Sequence, residues 1–289
     1  MSDIAVIVDP LMGTSPASEA RREALARALG RAAEVVLCPD EEALGRAVSR
    51  LSGRSLWGVT GADAGLSAVM TALWRAERWP GALLPMGGEG WDQARRGLGV
   101  KGGEEEVAAR LARAVARGGG LRRVEAATLR VSCSAREGAS LGFCFGLGAL
   151  TALAQEQALG GGLRAAARGL WSAREAVSLR ARADEEALPG SLWLLAASSW
   201  GELPARLRAP AASAGSLRVL WATQASGAAA LALPVPVKGE HHGARRAARL
   251  ALDLPAGLGW TLDGALVEGA AGGMALLLQP GPVVTLAAL

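Results

Sequence analysis

Two short glycine-rich stretches carry the residue types from which a phosphate site is made. Gly61-Ala62-Asp63-Ala64-Gly65 follows the apolar run Leu56 to Val59, and Gly87-Gly88-Glu89-Gly90 follows the apolar run Ala82 to Met86. Glycine turns at the carboxyl ends of consecutive strands are where open α/β sheets take ligands. A helix beginning there, from about Leu66, turns free backbone N–H groups and the positive end of its dipole toward an anion. The same turns have a purely steric use as well, because tight strand-to-helix connections need residues that tolerate positive φ. A third loop of small residues closes the apolar run Ile4 to Val8: Asp9-Pro10, then Gly13-Thr14-Ser15-Pro16.

Other chemistry-bearing residues are few. His241 and His242 are the only histidines, and neighbours on a strand face opposite ways, which makes them a poor metal pair. Asp263-Gly264 has the composition of a two-residue hairpin turn. Glu89, inside its glycine turn, would repel a phosphate by like charge. Cys38, Cys133 and Cys144 form no C-x-x-C pair and leave an odd thiol over. That usage suits a reduced, cytoplasmic compartment better than a disulfide scaffold.

The elements that must position these residues follow from periodicity. Ile4 to Val8, Val35 to Leu37, Leu56 to Val59 and Ala82 to Met86 read as buried strands. Ser18 to Leu29, a helix capped by Asp40, and Glu104 to Arg117 read as helices with one apolar face. Strands alternating with helices of this length imply a parallel sheet covered on both faces. Gly118-Gly119-Gly120 marks a break, after which many short strand-like runs separated by Gly, Pro and Ser imply a β-sandwich. One helical excursion, Leu147 to Trp171, interrupts them. The chain of 289 residues, 51% hydrophobic, thus divides into an α/β domain over residues 1–122 and a β-rich domain over residues 123–289.

Charge narrows the partners. The formal net charge is +4 and the only lysines are Lys101 and Lys238. The arginines sit at scattered helical spacings with no interleaved aromatic run, so no nucleic-acid partner is expected. No apolar run reaches the roughly 18 residues a membrane span needs. The start, MSDIAVIVDP, has no basic region before its short apolar run, so no signal peptide is expected.

The order of the pieces resembles the diacylglycerol kinase and sphingosine kinase catalytic family, whose fold is shared with NAD kinase. The first strand of that family ends in an Asn-Pro-x-x-Gly-like loop, where this chain has Asp9-Pro10-Leu11-Met12-Gly13. Its third strand runs into G-G-D-G-T-L-N-E, and Gly61 to Ala68 occupies that slot. Its fourth ends in P-L-G-T-x-N-D-F-A-R-x-L-G, matched at the start by Pro85 to Gly88 and at the end by Ala94-Arg95 and Leu98-Gly99. In the second half, Pro210 to Leu217 is similar to P-x-A-x-x-D-G-x-L. Lys238 to His241 is similar to K-G-x-H, and Asp263-Gly264-Ala265 falls at D-G-E. The resemblance covers about residues 3 to 288. It implies a Rossmann-like kinase domain, a sandwich domain and a cleft between them.

It also implies a chemistry: transfer of the γ-phosphoryl of ATP, with Mg2+, to a lipid hydroxyl. Pro10, Gly13, Thr14, Gly61, Asp63, Gly65, Ser67, Gly87 and Gly88 would line the nucleotide site, and Asp263 would be the base. Yet several positions have lost the groups this needs. Ala62 and Ala64 replace glycines, Gly65 replaces the threonine, and Ser67-Ala68 replaces Asn-Glu. Ala214 replaces the acid of the family's structural magnesium site, and Ala265 replaces the D-G-E glutamate. Two readings stay open. One is a non-catalytic or repurposed member, a lipid- or partner-binding pseudokinase that needs no cofactor. The other is an active kinase for a diacylglycerol- or sphingoid-type alcohol. A homo-oligomer and peripheral membrane contact are expected of either. The opening between the two glycine turns discriminates them: if Trp91 or Glu89 fills it, a nucleotide has no room.

Overall fold

The computed structural model describes residues 3–88, 90–158, 175–200, 215–225 and 241–289. The chain forms two compact units, Met1–Ala126 with Val283–Leu289, and Ala127–Pro282.

In the first unit β1 (Ile4–Val8), β2 (Glu34–Leu37), β3 (Leu56–Thr60) and β4 (Ala82–Gly87) pair in parallel in the order β4-β3-β1-β2. The end of the chain's last strand adds to β4 in parallel, Leu286 opposite Leu83. Every residue of β1, β3 and β4 is buried, the continuous apolar pattern of strands covered on both faces. Helices α1 (Pro16–Leu29), α2 (Glu41–Leu51) and α3 (Ala62–Arg75) make the crossovers, and α4 (Gln93–Leu98) and α5 (Glu104–Ala116) follow β4. Side chains fix where two of them start. Ser15 accepts from the Ser18 N–H with Pro16 at the first helical position, and Asp40 accepts from the Ala43 N–H at 2.7 Å. The chain leaves β1 for β2 on one side and returns to β3 on the other. The carboxyl ends of β1 and β3 therefore flank the topological switch point, where doubly wound sheets take their ligands.

The second unit is a sandwich. One antiparallel sheet runs His242–Ala247, Leu217–Ala222, Leu194–Ser198, β7 (Cys144–Gly148), Trp260–Leu262 and Ala265–Val267; β5 (Arg122–Cys133) and β6 (Ala139–Gly142) precede β7 in the chain. The other sheet joins Glu186–Ala187, Arg180–Ala183, Leu250–Leu254 and the start of the strand Met274–Ala288, with β5 and β6 beside it. Leu129, Phe145, Leu195, Val219, Leu252 and Leu278 belong to the apolar cluster the sheets share, as in other face-to-face packings. Helix α6 (Ala149–Ala158) lies on β7, where Gly146 leaves room for Leu150.

Some elements differ from the sequence reading. Helix α3 begins at Ala62, not Leu66, because Gly61 (φ 84) and Ala62 (φ 55) turn the chain sharply enough to start it at once. The run Ala139 to Gly146 splits at Phe143. Met274 to Leu278 and Pro282 to Leu286 are one strand, and α4 and the strand His242–Ala247 carry no strong period in the sequence. The expected strand 228–233, the loops 160–162 and 209–214, and the excursion beyond residue 158 lie outside the described residues, save for Gly215.

A Cβ at Gly65 would overlap the Thr60 carbonyl oxygen, with Pro10 Cγ 3.1 Å away, whereas one at Gly45 in α2 meets nothing within 4 Å. Gly65→Ala should therefore lower stability by about 1–3 kcal/mol. Gly45→Ala should raise it by roughly 0.5–1 kcal/mol. Urea unfolding of the two variants reads both signs.

Candidate functional site

At the switch point the ends of β1 and β3 are tied to each other. Asp9, at φ 45 and 3% exposed, donates its N–H to Thr60 Oγ1 at 2.9 Å. Its carboxylate accepts from the Thr60 hydroxyl at 3.3 Å and from Arg21 Nη1 at 2.5 Å. Arg21, on α1, also reaches Glu104 on α5, Nε to Oε2 being 3.3 Å. One guanidinium thus stands between two carboxylates. Burial pushes the Glu104 carboxyl up to about 7 and the Asp9 charge adds to the rise, while Arg21, the Gly61 N–H and Arg95 hold it back. Glu104 Oε1 is buried without a hydrogen bond.

The start of α3 is enclosed by the protein itself. Its cap, Gly61, has no side chain to offer, and its N–H faces Glu104. The Asp63 N–H donates to the Trp91 carbonyl at 2.8 Å. The Asp63 carboxylate accepts from the N–H groups of Gln93 at 2.5 Å and Ala94 at 3.0 Å, so it caps α4. Asp92, at the cap position itself, makes no side-chain cap and is held instead by Arg95 through Nε at 2.6 Å and Nη2 at 2.5 Å. Burial raises the Asp92 carboxyl against that pull.

The second glycine turn closes on the first. A Cβ at Gly88 (φ 153) would stand 2.5 Å from the Ala62 nitrogen and 2.9 Å from Gly61 Cα. The two turns lie backbone to backbone. Arg95 crosses Gly87, where a Cβ would be 3.1 Å from the guanidinium carbon, and it also donates to the Gly102 carbonyl. Trp91 is 3% exposed.

Of the residues singled out in the sequence, the fold brings Pro10, Gly61, Asp63, Gly65, Gly87 and Gly88 to one end of the parallel sheet, Pro10 packing against both Gly61 and Gly65. Ser67 is buried in α3. Gly13 and Thr14 are exposed, the Gly13 N–H donating to the Pro39 carbonyl at 3.0 Å. Asp263 is in the second unit, 1% exposed at φ 52. Its carboxylate accepts from the Phe143 N–H at 2.9 Å and the Cys144 N–H at 2.7 Å. Leu262 pairs with Ala265, so Asp263 and Gly264, both at positive φ, are also a two-residue hairpin turn of the primed type. Glu89, Ala214 and Lys238 lie outside the described residues. Among the described residues no group of three or more His, Cys, Asp or Glu is placed to hold a metal ion. No helix there is long and apolar enough to cross a membrane. The three cysteines are free, and burial pushes the Cys38 thiol up to about 11, which removes it as a nucleophile at neutral pH.

Trp91 is singled out in the sequence, whereas Thr60, Arg21 and Glu104 are site residues that periodicity does not reveal. Glu104 opens a run of three acids after Gly102-Gly103, which in sequence looks like ordinary complement to a helix dipole.

This arrangement, a doubly wound parallel unit with glycine turns at its switch point and a sandwich unit, defines a diacylglycerol kinase-like fold. Compared by sequence, the chain matches no protein-family model and no curated protein. Compared by structure, it is similar to a putative diacylglycerol kinase from Bacillus anthracis str. Sterne at TM-score 0.67 and 14% identity, over 99% of this chain and 97% of that one. A diacylglycerol kinase from the same organism superposes at TM-score 0.61 and 13% identity, over 98% and 95%. A further putative diacylglycerol kinase from it gives 0.62 and 13%, over 96% and 94%. At these identities the likeness is one of fold.

Two variants test the electrostatics. Glu104 in the folded chain keeps its proton to about 7 against an ordinary 4.5, so the stability it contributes below pH 4.5 is lost as pH rises through 7. Glu104→Gln should gain on the order of 1 kcal/mol over the parent at pH 8, and the difference should vanish near pH 4.5. Thermal melts across that range follow it. Asp263→Ala strands two buried N–H groups and should cost about 2–4 kcal/mol, with Asp263→Asn losing less, as read by denaturant unfolding.

Proposed function

We propose that this chain is a lipid-kinase-like protein without phosphoryl transfer, a pseudokinase whose role is to bind a lipid or a protein partner, a second copy of itself included. The observation that carries the reading is the occupancy of the α3 amino terminus. A phosphate would need the N–H groups there, and Trp91 and Glu104 stand at those of Asp63 and Gly61. Glu104 also places its carboxyl where a phosphate would sit, and the Gly88 backbone fills the space beside Ala62.

The carboxylates support the same reading. Phosphoryl transfer to a hydroxyl needs a base that can reach the proton and acids that can hold Mg2+. Asp63 and Asp263 each accept from two backbone N–H groups instead. Among the described residues, protein groups stand at the donors and fill the space beside Ala62 that ATP and Mg2+ would require, so those residues do not fit that pair.

Calorimetric titration of the folded protein with ATP and Mg2+ should show no saturable binding at millimolar nucleotide. Incubation with diacylglycerol or sphingosine vesicles and labelled ATP should transfer no label. Saturable sub-millimolar binding would raise stability by about 2.7 kcal/mol at a hundredfold excess over Kd. Such binding, accompanied by labelled lipid, would overturn the reading in favour of an active lipid kinase.

A further inference from the structure

The parallel sheet of the first unit has a concavity at the end opposite its glycine turns, where β1, β3 and β4 begin. It is a cleft of about 450 Å³ floored by Ile4, Leu56 and Ala82. That volume lies within the range of small-molecule sites. Val115 and Leu121, at and beyond the end of α5, give it an apolar side. Val115 is 42% exposed although it is a large apolar residue.

Charge says what the cleft accepts. Arg31 and Arg123 stand on its wall, and among the described residues neither forms an ion pair or a side-chain hydrogen bond. The carboxylate on the wall, Asp3, is already engaged by the hydroxyl of Ser55 and by its N–H at 3.2 Å. Helix carbonyls at this end are spent as well. Gly30 donates to Ala26, Ala32 to Leu29, Gly118 to Val115 and Gly119 to Ala114, which leaves little to attract a cation. An apolar floor beside guanidinium groups suits a molecule that is anionic at one end and apolar at the other.

We propose that this cleft binds a small amphiphilic anion, its carboxylate or phosphate head held by Arg31 and Arg123 and its apolar tail laid against Ile4, Leu56, Val115 and Leu121. The proposal stands apart from the loss of phosphoryl transfer, because it involves none of Asp9, Gly61, Gly88 or Glu104.

Calorimetry with four probes tests it: octanoate, octyl phosphate, inorganic phosphate and octyltrimethylammonium. Octanoate and octyl phosphate should bind saturably, and both should weaken at least tenfold in Arg31→Ala/Arg123→Ala. Val115→Asp, at a position already open to water, should weaken the octyl anions too, and thermal melts should show both variants folded. Equal binding of the trimethylammonium probe would overturn the proposal. So would inorganic phosphate binding as tightly as octyl phosphate, or octyl-anion binding unchanged by the double arginine variant. Failure of both octyl anions to bind would also overturn it, whatever the ATP titration shows.

Discussion

A helix that starts hard against the end of a sheet leaves its first N–H groups without intrahelical partners. In α3 the cap residue is a glycine and cannot answer them itself. The answer is tertiary, and much of the first unit follows from it. Trp91 must be buried for its carbonyl to reach Asp63. Asp63, placed by that contact, turns its carboxylate to the next helix. Glu104 must start α5 beside Gly61, and Arg21 must stand between Glu104 and Asp9 to make two neighbouring acids tolerable.

The acids show how one residue type can serve different ends by environment. Asp63 and Asp263 satisfy backbone amides and hold the chain in place, Asp263 joining a hairpin turn to the junction of β6 and β7. Glu104 is strained in the opposite sense, buried enough that its proton is retained toward neutrality. A perturbed carboxyl at a switch point is what a functional site would have. Here burial accounts for it first and the Asp9 charge adds to it, while the Gly61 N–H at the uncapped start of α3 works against the rise.

Much of the fold was legible because it rests on patterns of period. The apolar runs at Ile4, Leu56 and Ala82 gave β1, β3 and β4 nearly to the residue, and Asp40 marked the start of α2 by its side chain alone. The order of glycine turns and strands was enough to point to the kinase-like fold. Less legible were features fixed by contact across the chain. Helix α4 is six residues long, too short to show a period, and it is stabilised by an aspartate thirty residues upstream. The break at Phe143 depends on Asp263, 120 residues away. Glu104 gave no sign because nothing local distinguishes it from Glu105 and Glu106; only packing places it at Gly61. Asp263 shows the limit of motif reading, since the same two residues satisfy both a catalytic pattern and a hairpin turn.

The strand Met274–Ala288 has a consequence for the order in which the chain can fold. It begins in the second unit and ends in the first, where Leu286 lies against β4. Most of the first unit leaves the ribosome early, yet one edge of its sheet stays open until residues Val283–Leu289 have been made. The second unit, continuous in sequence, is complete a few residues sooner. During synthesis the first unit therefore waits on the second with an unpaired strand edge, the kind of surface that invites pairing with other chains.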